Sequence, residues 1–256
     1  MRRKRPAEFK GRHFEAEIIV LCVRWYFRFG LSFRNLEEIM AERNLSVDHV
    51  TIWRWVQRYA PELNRRCRPE LRKTNASWRC DETYVRVAGK WTYLYRAVDS
   101  TGATIDFLLS ARRDAASARR FFQKALRSPG HPRPRVINVD GNPSYPKAIA
   151  ELKQTGELGR RCRCRPVRYL NNIVEQDHRA IKRRVRASQG FRAFHSAWRT
   201  LQGIEAMNMI VCPAKGWRIQ RDQARRGKSQ RPCSLNSQEE GKLNPESLLT
   251  KPSLGW

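Results

Sequence analysis

Apolar positions follow a helical period in the first quarter of the chain and give way to strand-like runs in the second. Ile18, Leu21, Cys22 and Trp25 recur at about 3.6-residue spacing, which predicts a helix from Glu15 that ends at Gly30. Ser32 is placed to cap a second helix, with Phe33, Leu36, Ile39 and Met40 on one face. After the break at 44–47, Asp48 caps a third helix carrying an Ile52, Val56, Tyr59 stripe, and Pro61 is expected to stop it. Three short helices with a tight break before the last outline an all-α helix-turn-helix unit over residues 15–61. On the third helix Thr51, Arg54 and Arg58 fall at i, i+3 and i+7 and share one face. That face suits guanine edges or phosphates; the plainer alternative is a solvated basic face on a helical bundle. Residues 1–14 read as a basic arm and residues 62–75 as a polar linker.

The period changes at Trp78. Trp78–Val87 and Lys90–Val98 are rich in Val, Tyr, Trp and Thr, and only Ala88-Gly89 separates them, so they predict a hairpin. Asp99–Gly102 is a second turn and Ala103–Ser110 a third strand. Asp114 caps a helix that buries Phe121, Phe122 and Leu126. Arg135–Asp140 is a short β-branched strand, Pro143–Leu152 a helix and Pro166–Leu170 a fifth strand candidate. A long helix starting at Asn171 or Asn172 follows, with Val174, His178, Ile181 and Val185 as its buried stripe. A last helix spans Phe194–Val211. Hairpin-linked strands run antiparallel and helix-linked ones can run parallel, so residues 76–213 predict an α/β domain with a mixed five-stranded sheet flanked by helices. Residues 214–256 read as a basic tail, with disorder expected from Arg218 onward.

Charge narrows the partner. The 256 residues hold 52 Lys and Arg against 24 Asp and Glu, a net +28 spread along the chain, which points to nucleic acid. No apolar run approaches the roughly 20 residues of a membrane span, and the basic start leads into no signal-peptide core. These features favour action on nucleic acid in a reducing cytosol and not at a membrane. Seven cysteines at irregular spacing, Cys162 and Cys164 included, read as incidental thiols and not as a zinc or disulfide framework.

Three acids stand out against that basic background. Asp81, followed by Glu82, interrupts the first strand, where a carboxylate is disfavoured unless exposed at an edge or paired. Asp140 ends the fourth strand just before Gly141, at the carboxyl edge where such sheets bind ligands; a turn aspartate is the alternative. Glu175 lies about 100° from Val174 on the long helix, next to its buried stripe, and a surface pair with Arg179 is its alternative. His178 reads as a core-edge histidine. If the three acids converge, cations must neutralise them, and oxygen ligands select Mg²⁺ or Mn²⁺. Two such ions about 4 Å apart support in-line phosphoryl displacement. Pleat alone does not choose Asp81 over Glu82, nor exclude Asp99 or Asp106.

The stretches WRCDETYVRVAGKWTYLYRAVDSTGATIDFLLS, VINVDGNPSYPKAI, YLNNIVEQDHRAIKRRVRASQGF and GIEAMNMI, with the helix DHVTIWRWVQRYAPEL, resemble bacterial insertion-sequence transposases of family six. The resemblance runs roughly from Phe27 to Ile210, and the 34 residues between Asp140 and Glu175 match the family's spacing. It implies a ribonuclease-H-like fold with Asp81, Asp140 and Glu175 as the catalytic, metal-binding triad. It also places Lys182, with Arg183 beside it, near DNA. The implied activity is cleavage at terminal inverted repeats to a 3′-hydroxyl, then transfer of that end to target DNA by a replicative route yielding cointegrates. Two metal ions, a dimer or higher oligomer on DNA, and no covalent intermediate or nucleotide cofactor are expected. The competing reading is a catalytically inactive derivative that binds the repeats as a repressor.

Overall fold

The computed structural model describes residues 9, 11, 13–70, 73–167, 172–187 and 190–211; the side chains of 172, 173, 175–177, 180, 187 and 211 lie outside that description. Three helices come first: α1 (Ala16–Arg28), α2 (Phe33–Ala41) and α3 (His49–Cys67). Ser32 caps α2 through a reciprocal box with Asn35, and Asp48 caps α3 by accepting from the amides of Val50 and Thr51. Five strands follow: β1 (Ser77–Val87), β2 (Lys90–Asp99), β3 (Thr104–Ser110), β4 (Val136–Val139) and β5 (Arg163–Pro166). Four more helices cover them: α4 (Ala115–Arg127), α5 (Ser144–Gln154), α6 (Asn172–Ala187) and α7 (Phe194–Val211).

The sheet order is β3-β2-β1-β4-β5, with the three hairpin-linked strands antiparallel and β4 and β5 parallel to β1. This is the mixed five-stranded sheet expected from the sequence. The Ala88-Gly89 turn has positive φ at both residues (49° and 77°), the mirror-image geometry that matches the strand twist. Alternation along β1 divides the core. Trp78 and Cys80 face α4 and α5, packing with Phe121, Phe122, Tyr145 and Ile149. Val85 and Val87 face the other way, into a core shared with Ile181 of α6, Leu201 of α7 and the apolar faces of α1, α2 and α3. Helix α7 lies in the middle of that second layer, against α1 and α3 on one side and β3 on the other. The N-terminal helices therefore share one core with the sheet.

Three expectations are corrected. Pro61 does not end α3, which continues to Cys67 with a 3₁₀ turn at Arg68–Glu70 behind it, so the linker region is largely helical up to residue 70. A proline forfeits one amide bond, but the turn after it is held by burial of Leu63, Asn64, Arg66 and Cys67 and by Glu62 accepting from Arg65 and Arg66. The fifth strand is Arg163–Pro166, not Pro166–Leu170, whose last three residues lie outside the described residues. Cys162 and Cys164 pack inward with Arg163 and Arg165 outward, a period-two pattern hidden because cysteine was weighed as a thiol and not as a small hydrophobe. Within the N-terminal arm Phe9 is fully buried and stacks on Tyr59 with ring centroids 5.0 Å apart, so the arm is anchored there. The tail from residue 212 onward lies outside the described residues.

The packing of α7 on α1 turns on Gly203. A Cβ there would lie inside the contact distance of the Phe27 ring. Alanine usually helps a helix interior, yet Gly203→Ala is expected to destabilise the fold by about 1–3 kcal/mol through overpacking. The urea midpoint of the variant against the parent checks this.

Candidate metal centre

Backbone register explains why two acids so far apart in sequence meet. Strands β1 and β4 pair in parallel with Ser77 beside Val136 and Arg79 beside Asn138. Continuing that register by two residues sets Asp81 beside Asp140, at the strand spacing of about 4.8 Å. Strand β4 ends at Val139, so Asp140 stands at its carboxyl end, where its Oδ1 accepts from the Asn142 amide at 3.1 Å. Ligand oxygens of Asp81, Glu82 and Asp140 all lie within 4.8 Å of one another, a set of hard donors that fits a divalent cation.

The pleat separates the two neighbours on β1. Glu82 points to the α4/α5 side, where it accepts from Arg113 Nε at 2.7 Å, from Arg113 Nη2 and from Asn142 Nδ2 at 2.8 Å. That contact raises the Arg113 pKa, while burial, aided by Glu82, pushes the Tyr145 phenol well up. Asp81 points to the opposite face, where α6 packs on β1 and β2. Its Oδ1 accepts from the Glu82 amide at 2.8 Å, and its Oδ2 lies 3.7 Å from His178 Nδ1. Burial, with Arg96 and Lys182 nearby, drives the His178 pKa well below its ordinary value. His178 is thus the core-edge histidine the sequence suggested. Glu175 sits one turn earlier on α6, between buried Val174 and His178, and its side chain lies outside the described residues.

Behind Asp81 stands an interaction that no sequence pattern announced. Arg96 is directly opposite Asp81 on β2 and fully buried. Its Nε lies 2.7 Å from Glu205 Oε1 and its Nη2 donates to Oε2 at 2.9 Å, joining β2 to α7. The other acids left open are accounted for structurally. Asp99 accepts from the amides of Asn75, Thr101 and Ala103 and closes the β2–β3 turn. Asp106 pairs with Arg68 and Lys124, both at 3.0 Å. Burial raises the thiol pKa of Cys22 to about 11 and of Cys67 to about 12, as expected of incidental thiols.

The basic residues singled out earlier fall into two groups. Arg54 and Arg58 are exposed on α3, while the Thr51 hydroxyl donates to Asp48 at 2.6 Å as part of the cap. On α6, Arg183 is exposed and the Lys182 ammonium sits 4.2 Å from the centre of the Tyr84 ring. A groove of about 580 Å³ runs between α2, α3 and α7, lined by Phe33, Trp53, Gln57, Phe191 and Thr200 among others, and it contains none of the acids. The acids lie instead where β4 ends beside β1, with Asp81 buried and Glu82 and Asp140 half-buried.

The site is thus two aspartates on neighbouring parallel strands of a mixed sheet, Asp81 within β1 and Asp140 just past the end of β4. The DDE_Tnp_IS240 family model (DDE domain) matches residues 75–212. The chain is 39% identical over 199 residues to the transposase for insertion sequence-like element IS431mec of Staphylococcus aureus, covering 78% of this chain and 86% of that one. The transposase for insertion sequence element IS257 in transposon Tn4003, also of Staphylococcus aureus, matches at the same identity and coverage. The chain belongs to this family of DDE insertion-sequence transposases, family six. Among solved structures, the HTLV-2 integrase catalytic core domain in complex with magnesium shares 20% identity over 43% of this chain and 68% of that chain, at a TM-score of 0.36. A simian T-cell lymphotropic virus intasome structure in complex with PP2A regulatory subunit B56 gamma matches over 43% of this chain and 39% of that one, at 0.35.

Among the acids, titration with Mn²⁺ should rank the ligands. Asp81→Asn and Asp140→Asn are each expected to weaken Mn²⁺ binding by at least about tenfold, a loss of the size seen when metal sites are disturbed. Asp106→Asn should leave it unchanged. Glu82→Gln, whose carboxylate is already held by Arg113 and Asn142, should weaken it less than either aspartate change. Calorimetric or spin-resonance titration reads all four.

Proposed function

We propose that the protein cuts the ends of its insertion sequence and joins them to target DNA, with Asp81, Asp140 and Glu175 holding two Mg²⁺ or Mn²⁺ ions. The observation that carries this reading is the convergence of the Asp81 and Asp140 oxygens where β4 ends beside β1. Divalent ions bound there would raise the nucleophilicity of the attacking oxygen and neutralise charge on the departing one. The protein's own groups do the positioning. Arg113 and Asn142 hold Glu82 back from competing for the centre, and Arg96 ties β2, the strand beside Asp81, to α7.

In the first step water attacks the phosphodiester at the element end, the bond from phosphorus to the element's 3′-oxygen breaks, and a 3′-hydroxyl is left. In the second that hydroxyl attacks a target phosphodiester; one P–O bond forms as another breaks, so no nucleotide cofactor or covalent enzyme intermediate is required. Leaving the second strand uncut gives the replicative, cointegrate outcome. Residues 15–61 would bind the inverted repeats, with Arg54 and Arg58 on base edges or phosphates and Thr51 holding the start of α3 in place. Lys182 and Arg183 would take backbone phosphates near the centre. Two ends must be held at once, so a dimer or larger assembly on DNA is expected, working on the chromosome in the cytoplasm. Among the described residues, no helix is long and apolar enough to cross a membrane.

Asp81→Asn is expected to abolish cleavage and joining of an end-bearing substrate while leaving its binding intact. In EDTA the parent should behave the same way. A variant that still cuts would sink the catalytic assignment, whereas a parent that binds repeats but never cuts would identify a repressor derivative. Arg54→Ala with Arg58→Ala should weaken end binding and reduce its salt dependence by about one counterion for each phosphate no longer bound.

A further inference from the structure

Strand β1 continues past the acids into an exposed aromatic surface. Tyr84 and Arg86 lie on the same side of β1 as Glu82, because alternate residues share a face. At roughly 3.4 Å per residue, Tyr84 is about 7 Å beyond Glu82 along the strand. Trp91 stands opposite Arg86 on β2 and meets Tyr84 edge to face, ring centroids 4.9 Å apart. The β1 residues buried against α4 and α5 are Trp78 and Cys80, before the acids. Tyr84 and Trp91 are 51% and 57% exposed, the two most open large apolar side chains among the described residues. Each ring also carries a cation: Lys182 Nζ lies 4.2 Å from the Tyr84 centroid, and the Arg86 guanidinium lies 5.6 Å from that of Trp91.

An exposed pair of rings has an energetic cost in water and needs a partner to offset it. A second copy of the chain on a twofold axis would bring Lys182 and Arg86 towards their own equivalents, like charge against like. An unpaired nucleic-acid strand suits the surface better, since bases stack on aromatic rings without regard to sequence while neighbouring cations take the phosphates. We propose that Tyr84 and Trp91 form a base platform for an unpaired stretch of the DNA strand that leads into the acid cluster, with Lys182 and Arg86 on its phosphates. This rests on the transposase reading only for which strand is bound.

The test uses the full chain in EDTA, so that binding is read without chemistry. The probes are a blunt duplex end and the same end with a short unpaired tail carrying 2-aminopurine, whose fluorescence falls on stacking. The parent should quench the tail. Tyr84→Ala with Trp91→Ala should lose the quench and bind tailed DNA about tenfold more weakly, with blunt-end affinity unchanged. Tyr84→Phe with Trp91→Phe should keep both. Unchanged tail affinity in the alanine variant overturns the proposal, as does an equal loss on both DNAs. A change in sedimentation behaviour without a change in tail binding overturns it in favour of a contact between copies. If the double variant unfolds, the two single alanine variants, checked by thermal melting, decide on the same criteria. A parent that quenches the tail but never cuts in Mg²⁺ would refute the transposase reading and leave the platform standing.

Discussion

Parallel pairing of two short strand segments brings the acids of this protein together. Only three residues of β1 pair with β4, yet that register places Asp81 and Asp140 side by side. With Glu82 included, three carboxylates have oxygens within 4.8 Å. At an effective dielectric of about 20, a pair of like charges at that separation repels by roughly 3.5 kcal/mol. Such a cluster is tolerable only with positive charge nearby, and fixed cations supply part of it. Arg113 lies against Glu82, and Arg96 faces Asp81 across the β1–β2 ladder. A slip of one residue between β1 and β4 would send one aspartate to the other side of the sheet, and the cluster would not exist.

The Arg96–Glu205 pair has a second role. Both side chains are almost wholly buried, with exposures of 0% and 1%, and two close N–O contacts join them. A buried pair of this kind adds little net stability over an apolar substitute, but loss of one partner is severe because the other charge is stranded. Its value here is positional. It fixes the register of α7 on the strand next to Asp81, and α7 in turn carries the N-terminal helices.

Much of this was legible in the sequence. The hairpin at Ala88-Gly89, the caps at Ser32, Asp48 and Asp114, and the bounds of the last helix followed from local chemistry that the tertiary structure did not override. The helix through Pro61 was not legible, because what holds it is packing against α7, an element far along the chain. The fifth strand was hidden by an alternation of cysteine and arginine, two residue types that seldom announce a sheet edge. For the acids, residue types and spacing marked Asp81 and Asp140, but the choice between Asp81 and Glu82 needed the resemblance. The pleat sends Asp81 towards the layer of α6 and Glu82 towards α4 and α5. Arg96 and Glu205 are 109 residues apart and carried no local sign of each other.

The shared core behind the sheet has a mechanical meaning. Had residues 62–75 been a slack tether, the α3 surface and the acid cluster could swing independently, and the offset between them would vary. Helix α3 instead runs on to Cys67, Gln57 on it donates to Thr200 of α7 at 2.9 Å, and α7 is locked to β2 through a charge pair. The interval between the surface that α3 presents and the strand that bears Asp81 is thus built into the molecule as a fixed ruler. If α3 holds a duplex and the acids cut it, as proposed, the distance from hold to cut is set by the fold.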